Sequence, residues 1–320
     1  MRFIFFGTPE FAAIILEKLI AAGYAPAAVI CNPDEPVGRK QILTPPPVKR
    51  LIANGRQLIE IFQPANKSEL SAISHKLSAI KPDLAIVAAY GKIFPKEILK
   101  IPKHGFINVH GSLLPYYRGA SPIQTAILND EKETGVTIME VDEEMDHGNI
   151  ISNIKYQISK LDTYETLSKK LAILGAELLI KTIPDYISGK IKPVEQEHNK
   201  ATYTKIIKKE DGKINWSKNA EEIERMVRAY YPWPNAWTTW NGKILKIIEA
   251  DVLENKNNYQ IGEIFVLQYP YKLENVGMLL GVECSKDVLI IKKLQLEGGK
   301  VLTTKEFLNG HKDFIGGVLK

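Results

Sequence analysis

The chain has 320 residues, 45% apolar and 25% charged, the composition of an ordinary globular protein long enough for two domains. Its net charge of +5 allows an anionic partner, but polybasic runs of the histone type are absent. Two cysteines, Cys31 and Cys284, lie far apart with no CxxC or zinc spacing, which argues against a disulfide scaffold and for a reducing compartment.

The apolar run Phe3–Phe6 is too short for a signal peptide, and no uncharged stretch approaches the ~20 residues of a membrane span. A soluble cytoplasmic protein is expected. Residues 2–6 followed by Gly7-Thr8-Pro9 predict a buried strand, a turn and a helix start, with Thr8 as N-cap and Pro9 at the first helical position. That helix carries Phe11, Ile14, Ile15 and Leu19 and stops at Gly23. A strand at Ala27–Cys31 completes a βαβ opening, hence an α/β domain with a parallel sheet. Its turn has a single glycine, not the three of a dinucleotide fingerprint.

Residues 32–47 hold five prolines in sixteen and predict a long irregular loop on the carboxyl edge of the sheet. Arg39 and Lys40 in it either meet a phosphate or are solvated charges. A short helix at Val48–Ala53, a strand at Leu58–Phe62, a helix at Lys67–Ile80 and a strand at Asp83–Tyr90 follow. The strand runs into Gly91, Ile93 and Phe94, which form either an apolar pocket wall suited to a flat ring or a packed loop. After the strand at 105–110 and a helix at Pro122–Leu128, Thr134–Val141 and Asn149–Ile158 predict a hairpin. A long helix starts at Asp162-x-x-Glu165 and is closed by Pro184 and Gly189.

Residues 189–205 lack periodicity and are expected to link a first domain, 1–188, to a second, 206–320. There a helix at Ala220–Tyr230 precedes five short strands: Trp237–Trp240, Leu245–Ala250, Gly262–Leu267, Met278–Cys284 and Val288–Leu296. Their close spacing predicts a small OB-like β-barrel, with a last helix at Thr304–Leu308.

The chemistry concentrates in Gly105–Asp146. Asn108 and His110 are two apart on a strand and share a face. An amide donor and a titratable imidazole at a strand end, with the Asp146 carboxylate following, suit acyl-type transfer between two bound substrates. The same residues also fit a hydrogen-bonded strand end and a solvated acidic loop. A metal set of His110, Asp146 and His147 lacks a standard zinc motif.

The run Asn108-Val-His-Gly-Ser-Leu-Leu-Pro115, with Arg118-Gly119 and Pro122-Ile-Gln124, resembles the signature of the 10-formyltetrahydrofolate-dependent formyltransferases. Gly7-Thr-Pro-Glu-Phe11, Asn32-Pro-Asp34, Gly38-Arg39, Ala89-Tyr-Gly91 and Thr134–Ile138 match the branch acting on aminoacylated initiator tRNA. So do Asn215-Trp-Ser217, Val227-Arg-Ala229, Pro232-Trp-Pro234 and Ala236-Trp237.

The resemblance implies a Rossmann-like formyl-transfer domain followed by an OB-like domain that holds tRNA. It implies Asn108, His110 and Asp146 as the catalytic set, with no metal. The formyl donor, 10-formyltetrahydrofolate, would sit against Tyr90, Gly91, Ile93 and Phe94. Ser112, Leu113, Leu114 and Pro115, and Val141, Asp142 and Glu143, would complete that site. Arg39, Lys40, Lys208, Lys209 and Arg228 would meet the tRNA, whose methionyl amino group would receive the formyl group for translation initiation. A monomer is expected. This chain departs from the family at Asn149, usually aspartate, and at Glu35, Gln41 and Ile42, positions often basic or polar. A small-amine formyltransferase and a non-enzymatic RNA-binding protein remain as alternatives.

Overall fold

The computed structural model describes residues 1–38, 40–55, 59–254, 259–267 and 279–320. The chain forms two compact units: residues 1–123, 132–159 and 166–205 make the first, and 124–131, 160–165 and 206–320 the second.

The first unit is built on a seven-stranded sheet. From one edge its strands are Ile150–Gln157, Glu133–Glu140, Phe106–His110, Leu84–Ala88, Phe3–Gly7, Ala28–Ile30 and Glu60–Phe62. From Phe106–His110 onward all neighbours are parallel. Glu133–Glu140 runs against Phe106–His110 and pairs antiparallel with Ile150–Gln157. Phe3–Gly7, Ala28–Ile30 and Leu84–Ala88 are buried at every position, which is why their sequences are unbroken apolar runs without alternation. On one face, alternate residues of successive strands (Ile4 and Phe6, Ala28 and Ile30, Ala85 and Val87) pack with Leu70 and Leu77 from the helices above. Against Val109, on the central strand, the helix Tyr164–Ile187 presents Gly175, where an added Cβ would lie 2.9 Å from the valine Cγ1.

Several local elements differ from expectation. Pro9, not Thr8, caps the helix Glu10–Ala21, and the Thr8 hydroxyl accepts from the Asn32 amide at 3.1 Å, joining two strand ends. The helix expected over 67–80 is two, Lys67–Ala72 and Ser74–Ile80, broken at Ile73. Pro184 lies inside the long helix and does not close it. The last turn is held by tertiary contact, because the Tyr186 hydroxyl donates toward the His104 carbonyl (3.2 Å) and the Glu140 carboxylate (3.1 Å). Within the proline-rich stretch, Glu35–Val37 and Ile42–Thr44 pair as a small antiparallel hairpin, not an irregular loop. Residues 189–205 belong to the first unit: Val194 pairs with Ile150, and Tyr203–Thr204 run parallel to Arg118–Gly119.

The second unit is β-rich. Ala236–Trp240, Lys243–Leu253, Val288–Leu296, Leu279–Glu283 and Ile264–Leu267 are neighbours in that order, all antiparallel, and Leu302–Thr303 adds to Val288–Leu296. Asn241 and Gly242 both take positive φ (48° and 74°) in the two-residue turn between the first pair, as that dipeptide demands. Met278, expected to begin a strand, lies outside the described residues. The helix Ala220–Tyr230 starts in a reciprocal Asn219–Glu222 cap and buries Ile223, Met226, Val227 and Tyr230.

Candidate active site

Strand period puts Asn108 and His110 on one face, and the loop after Glu133–Glu140 brings a carboxylate to them. Oδ1 of Asp146 lies 3.4 Å from Nδ2 of Asn108 and 3.6 Å from Nδ1 of His110. Its Oδ2 accepts from the Gly119 amide at 2.7 Å. His110 is 6% exposed, and its Nε2 faces the Tyr117 carbonyl at 3.0 Å. A carbonyl only accepts, so Nε2 carries the hydrogen and Nδ1 is the atom turned to Asp146. Asp146 takes φ of 51°, a left-handed backbone that side chains other than glycine avoid, with Asp and Asn the best tolerated.

The segment after His110 is fixed from within. Ser112 is fully buried, with its hydroxyl donating to the Tyr116 carbonyl at 2.6 Å. Thr137 bridges the turn: its hydroxyl donates to the Ser112 carbonyl (2.7 Å) and accepts from the Leu114 amide (3.1 Å). Leu114 is buried and Leu113 half-buried, the latter lying where a Cβ at Gly135 would collide with it. Pro115, half-buried, follows a cis peptide bond. This turn delivers Arg118 and Gly119 to the Asp146 loop.

Behind the triad sits a polar group in which two members, Gln196 and His198, carry no signal in the sequence. Arg118 is 2% exposed and donates to Oε1 of Gln196 through Nη2 (2.7 Å) and Nε (3.2 Å). The Gln196 amide donates to the carbonyls of Asp146 (3.0 Å) and Gly148 (2.7 Å). His198 accepts from Arg118 at 2.9 Å through Nδ1 and stacks on His147 with ring centroids 4.1 Å apart. His147 in turn pairs with Asp142 at 2.7 Å. It is thereby engaged away from His110 and Asp146, and among the described residues no cluster of three or more His, Cys, Asp or Glu could hold a metal ion.

The residues expected to hold the folate divide into two groups. Tyr90, Phe94 and Val141 join Phe6 and Phe106 in one apolar cluster, with the Tyr90 and Phe94 rings stacked at 5.5 Å. Burial raises the Tyr90 phenol well above its ordinary pKa. Gly91 takes φ of 74° and Ile93 is 74% exposed, so the chain after Tyr90 turns out toward solvent. Glu143 pairs with Lys96 at 2.7 Å, tying the acidic loop to this turn. Beside them a cleft of about 320 Å³ is lined by residues including Phe106, Val141, Asp142, Glu140 and Tyr186. Asn149 donates to Glu140 at 3.0 Å. An aspartate there would set two carboxylates against each other. Ser112 and Leu114, by contrast, are enclosed within their own turn.

Of the residues expected to meet tRNA, Arg39 lies outside the described residues. Lys40 is exposed in the turn of the small hairpin, whose base is anchored by Asp34. Lys49 binds both Asp34 oxygens, at 2.8 and 2.9 Å, and Gln63 donates to one of them at 2.8 Å. Hydrogen bonds from Lys49 first and Gln63 second hold the Asp34 carboxyl below its usual pKa. Lys208 and Lys209 are exposed on the second unit. Arg228 is half-buried and already engaged, donating to Glu224 at 2.6 Å and to the Asp162 carbonyl at 3.1 Å. No helix among the described residues is long and apolar enough to cross a membrane.

Comparison with known proteins follows the same two-part division. A formyl transferase family model matches residues 1–183, and a formyl transferase C-terminal domain model matches residues 206–312. The methionyl-tRNA formyltransferase of Caldicellulosiruptor saccharolyticus is 43% identical over 322 residues, covering 100% of both chains. That of Thermodesulfovibrio yellowstonii is 44% identical over 309 residues, covering 97% of this chain and 96% of its own. Among solved structures, HypX from Aquifex aeolicus in complex with tetrahydrofolic acid superposes with a TM-score of 0.65 at 17% identity, a likeness of fold. That match covers 99% of this chain, which spans about half, 48%, of HypX. The chain belongs to the formyl transferase family, among relatives that are methionyl-tRNA formyltransferases over their full length.

Proposed function

We propose that this protein transfers a formyl group from 10-formyltetrahydrofolate to the free amino group of methionyl-initiator tRNA. The observation that carries the mechanism is one Asp146 oxygen placed between Asn108 and His110. The amine nitrogen attacks the formyl carbon and the bond from that carbon to N10 breaks. The attacking amine gives up one proton, and N10 of the folate gains one. Asn108 supplies N–H donors for the oxygen that becomes negative as the carbon turns tetrahedral. His110 holds its Nε2 hydrogen on Tyr117, so the proton travels by Nδ1 and Asp146.

The pteridine is assigned to the apolar wall of Phe94 and Val141, backed by the buried Tyr90, with the loop 141–143. Lys40, Lys208 and Lys209, exposed as phosphate contacts must be, and Arg39 are assigned to the tRNA backbone. Arg228 has the poorer claim, because its guanidinium is already shared with Glu224. The direct test incubates the protein with 10-formyltetrahydrofolate and methionyl-initiator tRNA, then releases the amino acid for mass spectrometry. Formylmethionine is the expected product. Formylation of a nucleotide-linked amino sugar in its place would refute this substrate. Affinity for tRNA should also fall as salt rises, and a salt-independent affinity would exclude the phosphate contacts.

A further inference from the structure

We infer that Gln196 is a positioning residue for formyl transfer, acting on Asp146 through its backbone, and that Arg118 sets its orientation. The inference rests on the transferase reading above. Gln196 is 4% exposed, and every hydrogen-bonding site on its amide is used. The two N–H hydrogens go to the carbonyls of Asp146 and Gly148, at 3.0 and 2.7 Å. The oxygen takes two bonds from Arg118, at 2.7 and 3.2 Å. A guanidinium only donates, so the amide oxygen must face Arg118 and the NH₂ must face the two carbonyls. Arg118 is itself held by His198 (2.9 Å) and by its own backbone amide on the Thr202 carbonyl (2.8 Å).

Asp146 needs such support. Its φ of 51° is disfavoured for a residue with a side chain, and it sits in a partly exposed loop between Asp142 and Asn149. Beside its contacts with Asn108 and His110, it is held through the dipeptide Arg118-Gly119, once directly and once by way of Gln196. The Gly119 amide binds its carboxylate directly at 2.7 Å. The Arg118 side chain reaches its carbonyl through Gln196. Arg118-Gly119 thus aims the same residue from both ends, and Gln196 is the link that lets it do so.

The test is a double-mutant cycle in single-turnover formylation. Gln196→Glu keeps the shape and the acceptor for Arg118 but sets an oxygen against both carbonyls. It should lower the rate about 10- to 100-fold, as a misplacement of about 1 Å does, while KM for both substrates stays within about twofold. Gln196→Met removes the donors without adding charge and should behave alike, which covers a failure of the first variant to fold. In an Asp146→Asn background either change should cost less than about twofold. Equal losses in both backgrounds, or a raised KM with an unchanged rate, would overturn the inference. An inactive wild-type protein would instead refute the transferase reading, so the two failures are distinct.

Discussion

A single oxygen of Asp146 serves both Asn108, at 3.4 Å, and His110, at 3.6 Å. In the proposed mechanism the carboxylate orients the two groups assigned to the reacting atoms. Asn108→Ala and His110→Ala should each reduce the single-turnover rate by roughly 10²–10⁴. Binding of methionyl-tRNA, followed by filter retention, should be unchanged. Wild-type turnover in either variant would remove this mechanism.

Asn149→Asp should destabilise the protein at neutral pH by about 1–2 kcal/mol, because it sets a second carboxylate where Asn149 now donates to Glu140 at 3.0 Å. Protonating either carboxylate removes the repulsion, so the deficit should shrink in acid. Melting temperatures at pH 7.5 and pH 5 measure this. A deficit that is the same at both would show that the pair is not the cause.

The Asp34 carboxyl is held below its usual pKa by Lys49 and then by Gln63. Its contribution is present above the unfolded value near ~3.9 and is lost as pH falls through the lower folded value. The hairpin at 35–44 should therefore become accessible to an acid protease below about pH 4. Asp34→Asn should leave the hairpin open already at neutral pH, where a protease active at about pH 7 should cut the variant and spare the wild type. Equal resistance of both proteins across the range would show that this cluster does not anchor the hairpin.

Burial pushes the Cys31 thiol up to about 11 and the Cys284 thiol up to about 12. Neither should form the reactive thiolate at pH 8, so an aromatic disulfide reagent should leave the native protein unlabelled. Two thiols per chain should react once it is unfolded. Fast labelling of the native protein would contradict this burial.

Much of the parallel sheet is legible in the sequence, because buried strands such as FIFF and LAIVA can be nothing else once turn residues bound them. The pairing of Asn108 with His110 is equally legible, since a period of two is a property of any strand. The arrival of Asp146 is not. It depends on a left-handed backbone and on Gln196, a lone glutamine in a polar stretch with no periodicity, whose partners lie 50 and 78 residues away. The same limit explains why 189–205 reads as a linker: its contacts are single bridges and side-chain bonds, which leave no pattern. The break at Ile73 and the continuation of the helix past Pro184 are likewise tertiary outcomes overriding local propensity.

Tyr203 and Thr204, which pair with Arg118 and Gly119, leave the ribosome after every strand of the large sheet. A nascent chain that ended at residue 188 would possess every strand of the large sheet and all three members of the Asn108–His110–Asp146 group. It would lack Gln196 and the strand that holds the Arg118 backbone. With the role inferred for Gln196, competence should be acquired only after the sheet itself can form, so that emergence of the sheet and onset of catalysis are separate events.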